Sequence, residues 1–277
     1  MFLFVILLSL FILLFAPFIF EFYDYSSTNP ESSSVLMILF FAVFLLWERR
    51  DQLKNIKYSQ GDIFFSRSGF VLLIGGVLFY VFGVFTYVLF IQAIAFIIIL
   101  IASILFIYGN YLFRLTGIPI LFLLFIVPFP TQVYRAIADP LKYFIAHAST
   151  GILLWFNIPL LIEGNIIHLP SISLQIHETC SGIQTTLSMT AIGTAFAYLF
   201  LKSYRYRIAL ITLSIPLGVI TNIFRVVIIA TVAYLFDAQL ALDFHGNAWL
   251  FVTPAGLLVI FLAGYIFRCL ERKDSLL

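Results

Sequence analysis

The sequence predicts an all-α polytopic membrane protein of about eight transmembrane helices, with a short β element and an interfacial helix on the outer face. Three observations predict it: a composition too apolar for water, apolar segments of membrane-crossing length, and basic residues concentrated in alternate loops, with only Arg135, Lys142 and Arg225 falling elsewhere. Hydrophobic residues fill 63% of the 277 positions and charged residues 10%, with a mean hydropathy of +1.12. A soluble domain carries roughly a quarter charged residues, so this chain lacks the polar groups to cover a water-exposed surface.

Crossing a hydrocarbon core of ~30 Å takes about 20 apolar residues. Segments that meet or approach this are 1–20, 34–47, 69–87, 88–108, 116–130, 182–201, 208–235 and 247–267. The first has no basic n-region and no small-residue cleavage site before Glu21, so it reads as a retained span rather than a signal peptide. The second is short, and only Thr86 and Tyr87 mark the boundary between the third and fourth. Cytoplasmic loops carry excess Lys and Arg. With the N-terminus inside, the inner loops collect Arg49, Arg50, Lys54, Lys57 and Arg67, then Arg114, then Lys202, Arg205 and Arg207. The tail adds Arg268, Arg272 and Lys273, while the first outer loop, with Glu21, Asp24 and Glu31, has no basic residue. Eight spans in the cell (inner/plasma) membrane, both termini cytoplasmic, fit this bias.

Residues 141–160 are apolar enough for a ninth span, but a crossing there would move Lys202, Arg205, Arg207 and the basic tail outside. They are therefore expected to form an interfacial or re-entrant helix on the outer side. No linker or internal repeat divides the chain, which reads as a single integral membrane domain, 1–277, with an outer-face insert at 131–179. Within the insert, Ser171 to His177 alternates polar and apolar residues, the period of a strand. Glu163-Gly164-Asn165 reads as a turn, Ile166 to Leu169 as the partner strand and Pro170 as the connection.

The two cysteines, Cys180 and Cys269, fall on opposite sides in this topology, which rules out a disulfide between them. There is no C-x-x-C pair, and none of the four histidines is spaced i, i+4 as a metalloprotease helix requires. No metal, no cofactor and no nucleic-acid partner is expected.

Three polar features interrupt the last three spans. Glu178-Thr179-Cys180-Ser181-Gly182 opens the sixth, and a cysteine at a helix N-terminus is biased toward thiolate by the dipole and free N–H groups. Asn222 and Arg225 lie three apart in the seventh, hence on one helix face; a charge there costs at least ~2.5 kcal/mol by insertion scales and marks a functional position by default. Asp243-Phe244-His245-Gly246 precedes the eighth. At 1.5 Å per residue, Cys180 stands about 33 Å above Lys202, His245 about 34 Å above Arg268, and Arg225 roughly 27 Å above Arg207. Consecutive spans thus bring a Cys, an Arg and a His to one level near the outer leaflet.

Such a cluster suits nucleophilic catalysis: Cys180 attacks a peptide carbonyl, His245 serves as acid/base and Arg225 stabilises the thiolate or oxyanion. Two rival readings use the same residues. A transporter or channel would use Arg225 and His245 for solute binding, although transporters usually bind near the midplane. An intramembrane serine protease would use Ser181. A scaffold role in polysaccharide export has no sequence feature in its favour.

At Cys180-Ser181-Gly182, Asn222-x-x-Arg225 and His245 in consecutive spans, the chain resembles the exosortase/archaeosortase family. Glu163-Gly164-Asn165-x-Ile167 and Pro128-Phe129-Pro130 add to the likeness, which covers about residues 88–267. The resemblance implies a cysteine transpeptidase/protease with Cys180 as nucleophile, His245 as acid/base and Arg225 as transition-state stabiliser. Asn222, Asp243 and Glu178 would support them. It further implies exported proteins with a C-terminal sorting signal (PEP-CTERM-like: a short motif, a span and a basic tail) as substrates. Water, a surface polysaccharide or a lipid would be the acceptor.

Overall fold

The computed structural model describes residues 2–28, 35–54, 63–170, 172–176, 181–236 and 249–274. Its elements are α1 (Phe2–Thr28), α2 (Val35–Glu48), α3 (Arg50–Lys54), α4 (Ile63–Phe85), α5 (Leu89–Phe122), a 3-10 turn (Leu123–Ile126) and α6 (Thr131–Trp155). Strands β1 (Leu161–Glu163), β2 (Ile166–His168) and β3 (Ser173–Gln175) follow, then α7 (Ile183–Phe200), α8 (Tyr204–Leu235) and α9 (Trp249–Asp274). The chain is an all-α membrane protein with one small sheet. Among the described residues, four helical stretches are long and apolar enough to cross a bilayer: Arg67–Phe85, Leu89–Ile126, Tyr204–Leu235 and Pro254–Asp274.

Packing divides the chain into two compact units, Met1–Thr131 and Gln132–Leu277. In the first, α4 and α5 pack antiparallel along a glycine seam. Gly69, Gly76 and Gly83 recur every seventh residue, and a Cβ on them would come within 2.6 Å of Phe106 N, 2.9 Å of Ile99 Cγ1 and 2.9 Å of Ile91 Cγ2. Without a hydrophobic force between helices in lipid, such close backbone approach is what holds neighbours together. The turn between α4 and α5 is Thr86-Tyr87-Val88, with Tyr87 at φ 54, where the sequence placed it.

The hydrogen-bonded run of α5 conceals a reversal. Gly109 has φ 73 and ψ −167, a conformation open essentially to glycine. Val127 packs against the cluster of Phe15, Phe18, Tyr80, Ala93, Ala95 and Ile99, whereas a straight helix would carry it about 40 Å beyond Ile99. The expected loop at 109–115 is thus a one-residue break, and Arg49 Nη1 donates to the carbonyls of Arg114 (3.4 Å) and Leu115 (3.2 Å) just past it.

Helix α1 runs to Thr28 and absorbs Glu21 and Asp24, which sequence reasoning assigned to a loop. The reason is a partner the sequence does not reveal: buried Gln92 donates through Nε2 to Glu21 Oε2 at 2.9 Å, so the carboxylate is hydrogen-bonded within the helical unit.

In the second unit α7 and α8 are antiparallel. A Cβ at Gly218 would sit 2.5 Å from Thr186 Cα, and one at Gly193 would meet the Ser214 side chain. Helix α9 closes on the pair, with Gly256 against Met189 and Thr221 and Gly264 against Phe196. The helix expected over 141–160 starts earlier than the sequence reading placed it. Helix α6 begins at Thr131 rather than 141 and ends at Trp155. It is amphipathic, and it is not among the stretches long and apolar enough to span. Its first half sets Tyr134 and Ala138 on Ile183 and Leu187 of α7. Its second half sets Ile145, Ala146 and Leu153 on Ile223, Val226, Val227, Ala230 and Ala233 of α8.

The sheet is an antiparallel meander, β1-β2-β3. The expected turn and two later strands are present, and Leu161–Glu163 adds a first strand that the sequence reading missed. Gly164, at φ 61, makes the first turn. Asn165 holds the far end, its Nδ2 donating to Ile176 O at 2.9 Å while Ile176 N donates back to Asn165 O at 3.0 Å. Ile167 and Ile176 are buried in the α6–α8 core, so the sheet is fixed to the helices whose ends carry the candidate site.

Candidate active site

The site is built where α7 begins. Residues 177–180 and 237–248, and with them Glu178, Cys180, Asp243 and His245, lie outside the described residues; Ser181, Asn222 and Arg225 are described. Ser181 is completely buried, and its Oγ shares a 3.4 Å hydrogen bond with the Tyr134 hydroxyl of α6. Gly182 follows as the N-cap of α7 at φ 80, ψ −7, a left-handed conformation that a Cβ disfavours. This residue turns the chain into the helix immediately after the cysteine position.

Space as well as conformation demands glycine there. A Cβ at Gly182 would lie 2.9 Å from Ile145 Cδ1 and 3.1 Å from Asn222 Nδ2. Asn222 is 1% exposed, so the α8 amide sits in a dry contact against the N-terminal turn of α7. Sequence separation alone gave Asn222 no firm role; the structure brings it against the residue two past Cys180. Ser149 of α6 sits on the adjacent turn, donating to Ile223 O at 3.4 Å.

Arg225 lies three residues beyond Asn222, on the same face of α8. Its neighbours mark the border of the buried stripe: Phe224 is 51% exposed, whereas Val226 is buried. The guanidinium is half-buried, and its Nε is buried without a hydrogen-bond partner among the described residues. An intramembrane arginine with a buried donor left open is a costly arrangement.

A family model described as "Transmembrane exosortase (Exosortase_EpsH)" matches residues 26–262. The chain belongs to the transmembrane exosortase family. The exosortase match takes in both helical units and every candidate residue from Glu163 to His245, a longer reach than the 88–267 over which the motifs alone suggested the likeness at its N-terminal side. No curated protein and no solved structure matches this exosortase chain.

Sequence reasoning missed Tyr134 and Ser149 as neighbours of the site. Their signal was present in the spacing of Tyr134, Ala138, Ile145, Ser149 and Leu153, a single stripe along α6; starting the helix at 141 cut it in two. The packing at Gly182 yields a prediction. Gly182→Ala lowers stability by about 1–2 kcal/mol through its positive φ and displaces Asn222, whereas Gly151→Ala, whose Cβ meets nothing within 4 Å, is neutral or slightly stabilising. Thermal unfolding of the two purified variants in detergent measures the difference.

Proposed function

We propose that this exosortase is a cysteine transpeptidase/protease acting on the C-terminal sorting signal of exported proteins. Cys180 serves as nucleophile, His245 as general acid/base and Arg225 as oxyanion stabiliser. The observation that carries the reading is the buried, unpartnered Nε of Arg225, on the same α8 face as Asn222, which abuts the residue two past Cys180. Guanidinium donors already fixed and desolvated stabilise developing negative charge without reorganisation.

In the first step the Cys180 thiolate forms a bond to the scissile carbonyl carbon, placing negative charge on the carbonyl oxygen near Arg225. Collapse breaks the C–N bond, and His245 gives its proton to the leaving amine. The resulting acyl-thioester is then attacked by water or by an acceptor nucleophile on a surface polysaccharide or lipid. His245 takes the proton of that nucleophile, and Cys180 leaves as thiolate. Ser181, with no exposed surface and its hydroxyl held by Tyr134, suits a structural role better than a nucleophilic one. Asn222 orients the α7 turn, and Asp243 and Glu178 are candidates to orient His245.

The same reading places the site on the outer side of the cell membrane, both termini cytoplasmic, with eight crossings. These are α1, α2, α4, the two halves of α5, α7, α8 and α9. The reversal at Gly109 supports counting α5 twice, and the basic residues at the paired ends of α7, α8 and α9 support the orientation.

Two experiments test this. Co-expression with a sorting-signal substrate at matched membrane levels should show processing by the wild type and its loss, by at least about a hundredfold, in Cys180→Ala, His245→Ala and Arg225→Ala; normal processing by Cys180→Ala would remove the thiol mechanism. A membrane-impermeant maleimide added to intact cells should label Cys180 and spare Cys269, and the opposite pattern would invert the topology.

A further inference from the structure

At the end of the second unit away from the candidate site, α7 stops, α8 starts and α9 finishes around one cavity of about 930 Å³. Phe200, Ala209 and Phe267 give it an apolar lining, and Lys202, Arg205, Arg268 and Arg272 line it as cations. Two carboxylates also line it, and both are engaged within the protein. Glu271 accepts from the backbone N–H of Lys202 (3.0 Å) and of Ser203, capping the start of α8 from a neighbouring helix. Asp274 accepts from the Tyr206 hydroxyl at 2.5 Å. Among the described residues, Lys202, Arg205 and Arg268 form no ion pair, and the Arg268 guanidinium lies 5.9 Å over the Phe200 ring.

We infer that this cavity binds the phosphate-bearing headgroup of an anionic phospholipid. Depth decides the source of the phosphate. The cavity sits where the span-length stretches Tyr204–Leu235 and Pro254–Asp274 begin and end, which is the headgroup level of whichever leaflet they meet. Its volume exceeds what a bare phosphate fills and matches a small-molecule site. Its make-up, apolar side chains beside four cations, matches a lipid that is apolar in its chains and anionic at its head. Basic pockets between helices at this depth bind anionic headgroups, each nearby Lys or Arg contributing about a fivefold gain in affinity. A random scatter of interfacial cations would satisfy the charge bias of inner loops without converging on a cavity whose acids are already hydrogen-bonded. The bound lipid would tie together the ends of the three helices that carry the candidate catalytic groups, and the inference stands whether or not the proposed chemistry at their other end is correct.

The test uses the full chain purified in detergent, with added phosphatidylglycerol, phosphatidylcholine or inorganic phosphate. Phosphatidylglycerol should raise the unfolding temperature by several degrees and phosphatidylcholine should not. The combined variant Lys202→Gln/Arg205→Gln/Arg268→Gln should lose that shift, while Arg205→Lys/Arg268→Lys keeps most of it. Arg205→Gln alone, which covers the case that the triple variant does not fold, should weaken the apparent affinity about fivefold. An equal shift with phosphatidylcholine, an undiminished shift in the Gln variants, or the same shift with inorganic phosphate alone would overturn the inference.

Discussion

Close approach of α7 to α8 is the constraint on which the second unit depends. Glycine at 193 and 218 lets the two backbones come within side-chain-free distance of Ser214 and Thr186, and the same contact carried to its end sets Asn222 against Gly182. In lipid, where apolar surface gains little from leaving one apolar neighbour for another, this packing is the main source of specificity between helices. Alanine at 218 would meet the Thr186 backbone, push the helices apart and move Asn222 and Arg225 away from the start of α7. The site's geometry is therefore a consequence of helix packing before it is a matter of any polar contact.

On that scaffold the protein tolerates an expense it does not need for folding. A half-buried guanidinium in a span, with a buried Nε left open, is destabilising, and replacing it with leucine would suit the bilayer better. Gly182 in a left-handed conformation and a dry Asn222 concentrate further strain and desolvation within a few residues of it. Elsewhere in the described chain some buried polar groups settle into ordinary roles, such as Gln92 Nε2 bonding Glu21 or Ser214 bonding the preceding turn of its own helix, while the Oγ1 atoms of Thr150 and Thr186 are buried without a hydrogen-bond partner, as Arg225 Nε is.

Much of this was legible from residue order because membrane proteins expose their logic in composition. Length and apolarity located α2, α7, α8 and the start of α9 to within a few residues, whereas α4 begins earlier than the expected 69, at Ile63, and α9 continues to Asp274, because a helix need not stop where its apolar residues do. The Gly164 turn and the β2-β3 pairing followed from period-2 alternation. What escaped was set by tertiary partners or by a single residue. Glu21 joined α1 through Gln92, seventy-one positions away. Gly109 reversed the chain where a longer loop was expected. Helix α6 extended back to Thr131 because its stripe packs on α7 and α8, a burial that local hydropathy does not register. Of the candidate site, the shared helix face of Asn222 and Arg225 was readable from their spacing, whereas the contact of Asn222 with Gly182 required the fold.

The central claim is that Arg225 is held to act on the Cys180 chemistry, and the thiol itself can report it. In a Cys269→Ser background, the rate of Cys180 alkylation by iodoacetamide is followed against pH in wild-type sequence and in Arg225→Gln. The account predicts a half-maximal rate below the ~8.5 of a free thiol, shifting upward when the guanidinium is removed. A profile centred on the free-thiol value and identical in the two proteins would contradict it.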